Sequence, residues 1–139
     1  MKINIRQVNE ATNFEAQNEN DDTIQIKGIS GDDMEARGFS PMEMLLTSVA
    51  ACSAIDLVLI LKKQRQPLQD LQIEVNGERT ENTTPRPFKS IDINFILTGD
   101  LEESKVARAV ELAVEKYCSV ADTMDQGVNI SHRFEIRQH

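Results

Sequence analysis

Between Met42 and Leu61 the chain runs for more than five helical turns with only Glu43 and Asp56 as charged residues, and any fold it adopts must hide that segment. The stretch approaches the length of a membrane span. Charges at such depth are expensive, no positive cluster precedes the stretch, and a helix apolar on nearly every side also suits the centre of a soluble core. The expected reading is therefore a buried helix of a soluble protein. Its start is well marked: Ser40 is an N-cap, Pro41 suits the first helical position, and Glu43 completes a capping box. It should run to about Gln64, because Pro67 blocks further extension.

Around this helix the pattern alternates. Ile3 to Val8 and Thr23 to Gly28 read as strands, with a short strand in Asn13–Gln17 and a turn over Asn18–Asp22. Gly31–Gly38 forms a polar loop. After the helix, Leu71, Ile73 and Val75 share one strand face, and Ile91, Ile93, Phe95 and Leu97 share another. Asn76-Gly77 and Glu81–Pro85 supply turn chemistry. Asp100 with Glu103 repeats the capping pattern for a second helix, whose inward face is Val106, Val110, Ala113, Val114 and Tyr117. Ser119 to Met124 adds a helical turn or two. Val128, Ile130, His132, Phe134 and Ile136 end the chain as a strand. The class is α+β with mostly antiparallel pairing, in a single domain over residues 1–139. So apolar a helix in so small a domain asks for cover that a second subunit would supply.

The length of 139 residues needs no second domain or linker. A net charge of −8 repels nucleic-acid phosphates and anionic membranes, so neither is an expected partner. Two cysteines do not make a disulfide scaffold, and the opening residues lack the pattern of a secretory leader. A reducing cytoplasm is the expected compartment.

Chemistry centres on the cysteines. Cys52 lies in the middle of the apolar helix and Cys118 where the second helix runs out, so packing the two helices together would bring the sulfurs within reach. Cys52 is either a small hydrophobe or a protected nucleophile. A thiolate at mid-helix gains little from the helix dipole, so activation would need a cation from elsewhere. Asp56, one turn later on the same face, either holds such a cation or is a polar group satisfied at a subunit interface. Metal binding fits poorly: His132 lies on a strand, His139 ends the chain, and no close-spaced ligand pair exists. A Cys–His hydrolase would need His132 to reach a sulfur. No phosphate-binding glycine loop occurs, and no cofactor is expected.

Ser40-Pro41-Met42-Glu43-Met44-Leu45, then Ala50-Ala51-Cys52, and the distant Cys118-Ser119-Val120 together resemble the OsmC/Ohr family of osmotically inducible and organic hydroperoxide resistance proteins, in its OsmC-like branch. The resemblance spans nearly the whole chain. It implies an intertwined homodimer in which two long central helices are wrapped by sheets from both chains. It also implies thiol-dependent reduction of organic hydroperoxides, with Cys52 as the peroxidatic thiol and Cys118 resolving it as a disulfide that an external dithiol reduces. In the family's peroxidases a glutamate follows the proline directly and orients an activating arginine. Here Met42 holds that position and Glu43 comes one residue later, turned by about 100°. The arginine candidates are Arg6 and Arg37, with Arg37 favoured because its loop leads into the active-site helix, and Asp56 is a candidate replacement carboxylate. The alternative within the same fold is a non-catalytic or redox-responsive dimer that binds a small hydrophobic ligand.

Overall fold

In the computed structural model, residues 1–8, 12–28, 37–124 and 126–138 are described. Most of the expected Gly31–Gly38 loop, and His139, lie outside them. The chain forms two compact units, residues 1–45 and 46–139. Each carries a three-stranded sheet, in agreement with the α+β class.

In the first unit β1 (Asn4–Gln7), β2 (Phe14–Gln17) and β3 (Thr23–Ile26) form an antiparallel meander. The β2–β3 turn is built as its composition predicts. The Asn18 side-chain oxygen accepts from the backbone N–H groups of Asn20 and Asp22 at 2.9 and 3.0 Å, and Asp21 takes a positive φ of 68°. Register places Ile5, Ala16 and Ile24 opposite one another. Ala16 is buried, whereas Ile5 and Ile24 are 61% and 50% exposed, so this sheet has an uncovered apolar face. Phe39 bridges to Ile26 just before the long helix begins.

That helix, α1, spans Pro41–Lys63. The Glu43 carboxylate accepts from the Ser40 N–H at 2.9 Å, and the Glu43 N–H donates to Ser40 Oγ at 3.2 Å, so the capping box forms. Val49, Ala50, Ser53, Leu57 and Leu61 make its buried stripe. The opposite stripe of Ile55, Val58 and Leu59 is 63%, 42% and 54% exposed. By length and composition α1 passes the test for a membrane-crossing helix, as core helices of soluble proteins also do.

The second unit continues with β4 (Asp70–Arg79), β5 (Phe88–Thr98), α2 (Glu103–Leu112), a π-helical turn (Ala113–Tyr117), the short α3 (Ser119–Thr123) and β6 (Asn129–Arg137). β5 is central, antiparallel to β4 and parallel to β6. The parallel pair follows from the helical crossover between β5 and β6, which returns the chain to its starting end. Ile91, Ile93, Phe95 and Leu97 are fully buried, and Asn94 and Ile96 on the other face are nearly so.

Three local expectations are corrected. Asn76-Gly77 is no turn; β4 runs straight through it. Glycine is needed there because a Cβ would sit 2.5 Å from Phe88 Cε1 and 2.7 Å from Leu46 Cδ2. Asp100 does not cap α2: the N-cap is Glu102, which has no side-chain cap of its own, and its N–H donates to Gln66 Oε1 at 2.8 Å. Tyr117 is 50% exposed rather than inward. The π-helical turn inserts an extra residue, so Tyr117 rotates outward beneath Lys116, whose Nζ is 5.3 Å from the ring centroid. Cys118 takes the inward place instead.

Candidate active site

Cys118 ends the π-helical turn with an extended backbone and becomes the N-cap of α3. Its sulfur accepts from the Ala121 N–H at 3.4 Å and donates to the Val49 carbonyl of α1 at 3.8 Å. The same carbonyl accepts from Ser53 Oγ at 3.0 Å. The residue is 3% exposed, whereas Cys52 is half-buried.

The electrostatics follow from that placement. Burial pushes the Cys118 thiol above its ordinary pKa; hydrogen bonds from Ser53 and Ala121 pull it back, and the Cys52 side chain raises it by hydrogen bonding and by charge. Cys118 thus packs on α1 within one turn of Cys52, and the two thiols are neighbours that perturb each other. Both are unpaired.

The remaining sequence candidates are distributed as follows. Asp56 is half-buried on α1, one turn beyond Cys52. Glu43 lies in the first turn of α1, its carboxyl held below the usual range by the Ser40 backbone and side chain, with Lys27 Nζ at 3.8 Å. Arg37 is exposed in the segment entering α1. Glu43 and Arg37 belong to the first unit, and Cys52, Asp56 and Cys118 to the second. The other arginine candidate, Arg6, pairs across strands with Glu15 at 3.2 Å. His132 faces Glu115, with Nε2 3.5 Å from Oε1. Among the described residues no group of three or more His, Cys, Asp or Glu side chains is placed to hold a metal.

The residue that sequence reasoning passed over is Ser53. It is fully buried, one position after Cys52 and one turn after Val49. The available signal was a hydroxyl in the apolar run, where a buried polar group needs a stated partner. Its hydrogen-bond partner, the Val49 carbonyl, is local, whereas the Cys118 thiol that it influences is distant in sequence.

A family model described as OsmC-like protein matches residues 31–133. Protein YhfA of Escherichia coli strain K12 is 47% identical over 114 residues, covering 81% of this chain and 81% of its own. Among solved structures, a hypothetical protein from Aquifex aeolicus VF5 is 30% identical with a TM-score of 0.86, covering 99% of this chain and 96% of that one. An organic hydroperoxide resistance protein OsmC from Legionella pneumophila is 13% identical with a TM-score of 0.71 over 97% of both chains, a likeness of fold.

Proposed function

The chain belongs to the OsmC-like family, and on that premise we propose that it reduces organic hydroperoxides with its own two thiols. The observation that carries the reading is the packing of Cys118 on α1 at Val49, within one turn of Cys52, near enough for the two thiols to perturb each other. Hydroperoxide resistance is what the Legionella relative of the same fold is named for. In this reading the more accessible Cys52 reacts first. Its thiolate attacks the distal peroxide oxygen and the O–O bond breaks; the alkoxide takes a proton and leaves as an alcohol, and Cys52 becomes a sulfenic acid. The Cys118 thiolate then attacks the Cys52 sulfur. An S–S bond forms, the S–O bond breaks, and the departing hydroxide is protonated to water. A dithiol reductant, itself oxidised to a disulfide, restores both thiols.

Arg37 is assigned as the cation that favours the Cys52 thiolate, with Glu43 and Asp56 as carboxylates that orient it. The support is the family resemblance and the position of Arg37 at the entrance to α1. The working form in this reading is a soluble homodimer over a single OsmC-like domain, in which a second copy covers Ile55, Val58 and Leu59. The apolar groove of about 290 Å³ lined by Ala54, Ile55, Val58 and Leu59 supports a partner surface of the same character. Ile55→Asp is expected to shift the protein toward monomer in light scattering at fixed concentration; an unchanged mass would remove this stripe from the interface.

The decisive test is thiol counting and intact mass after stoichiometric cumene hydroperoxide. Wild-type protein should lose both thiols as one intramolecular disulfide, Cys118→Ser should accumulate sulfenic acid at Cys52, and Cys52→Ser should react slowly. Equal, slow oxidation of both cysteines would sink the peroxidase reading. It would favour a binding dimer for a small hydrophobic ligand, which the raised pKa of Cys118 also suits, since a largely protonated thiol is a poor resolving nucleophile.

A further inference from the structure

We infer that Ser53 is a two-position proton donor that serves the Cys118 sulfur during disulfide closure: its hydroxyl rests on the Val49 carbonyl while Cys118 is a thiol and turns to the sulfur as Cys118 becomes a thiolate. The inference rests on the peroxidatic reading for its place in turnover, though not for its chemistry.

The geometry is a three-way contact inside the second unit. Ser53 is fully buried and has one proton to give, which it gives to Val49 O at 3.0 Å. Cys118 points its own weak donor at the same oxygen from 3.8 Å. While both are protonated, two donors converge on one acceptor. Once Cys118 loses its proton the arrangement reverses, because an anionic sulfur beside a carbonyl oxygen is repelled unless a donor stands between them. The Ser53 hydroxyl and the Cys118 sulfur reach one carbonyl oxygen, at 3.0 and 3.8 Å, and the hydroxyl is near enough to lower the thiol's pKa. A rotation about its Cα–Cβ bond then replaces a neutral hydrogen bond with a charge-assisted one. Val49 O keeps the helical N–H bond expected of a mid-helix carbonyl. Ala121 N–H, at 3.4 Å, supplies a fixed second donor. Among the described residues, the titratable group that acts on Cys118 is Cys52.

The expected kinetic signature is a crossing. Loss of the Ser53 donor leaves about tenfold less Cys118 thiolate at neutral pH. The residual thiolate is more nucleophilic, which offsets the loss to about threefold slower closure. Above the raised Cys118 midpoint of the variant the thiolate fraction no longer differs, and the Ser53→Ala protein should close as fast as wild type or faster. A purely structural role would slow closure at every pH.

Two measurements test this. In a Cys52→Ala background, the Cys118 thiolate is titrated by its absorbance near 240 nm, with and without Ser53→Ala. The midpoint should rise when Ser53 is removed, and an unchanged midpoint overturns the inference whatever the protein reduces. With both cysteines present, rapid-quench mass spectrometry after cumene hydroperoxide should show unchanged sulfenic acid formation but slowed closure at pH 7 in Ser53→Ala, with the deficit gone at high pH. A deficit that persists at all pH values overturns the switch. Failure of wild-type protein to form the disulfide would instead count against the peroxidatic reading, and the titration would still decide the role of Ser53.

Discussion

Replacing Gly77 by alanine tests whether that position is a packed strand interior. The added methyl would lie 2.5 Å from Phe88 Cε1 and 2.7 Å from Leu46 Cδ2, where carbon atoms settle at about 3.5–4.0 Å. Phe88 is buried, so its ring has little room to retreat, and overpacking of this kind costs about 1–3 kcal/mol. The alanine recovers roughly 0.4–1 kcal/mol by restricting the unfolded chain. The net loss is about 1–2 kcal/mol, which for a chain of this length lowers Tm by roughly 3–8 °C. Thermal unfolding followed by circular dichroism, at one protein concentration, reads the shift directly. The sharper test adds Leu46→Ala. If the clash is real, Gly77→Ala should cost less in that background, with a coupling on the order of 1 kcal/mol. An unchanged Tm, or strictly additive effects, would refute the steric argument and restore the turn reading of Asn76-Gly77.

Disulfide closure should accelerate with pH, because burial raises the Cys118 pKa and the thiolate fraction grows about tenfold per unit until that pKa is reached; a flat closure rate between about pH 6 and pH 8 would contradict this. Phe95→Ala, at a fully buried position of the central strand, is expected to cost about 3–5 kcal/mol in urea unfolding, and a loss below about 1 kcal/mol would mean the strand is not central to the core. Ser40→Ala removes the acceptor at the start of α1 and should cost about 1 kcal/mol, read as a lower urea midpoint with an unchanged slope.

What was legible in the chain, and what was not, divides along the range of the interactions. The start of α1 could be read because its cap lies within four consecutive residues, and the buried face of β5 because a period of two needs no knowledge of neighbours. The start of α2 could not, because its acceptor Gln66 lies 36 residues away. Gly77 was misread for a related reason: glycine marks both turns and close approaches, and only the ring of Phe88 distinguishes them. Tyr117 failed because a π-helical turn leaves no trace in a pattern counted at 3.6 residues per turn. At the candidate site, the cysteines were visible from their rarity and their family context. Ser53 acts on Cys118, which is remote in sequence, and so escaped notice.

The π-helical turn before Cys118 makes the placement of that sulfur depend on how many residues precede it. Along Ala113–Tyr117 the backbone holds one residue more than an α-helical turn would, and the surplus directs Cys118 toward α1 while Tyr117 faces out. Regular α-helical winding of all five residues would swing the thiol by about 100°, away from its neighbour, even with every side chain at the site intact, whereas deleting one of them would remove the surplus and let a regular helix carry the sulfur to the same face. Substitutions that keep the π-helical turn would leave the sulfur where it is. The segment should therefore tolerate the loss of one residue better than the gain of one, an asymmetry that is not expected of a surface loop.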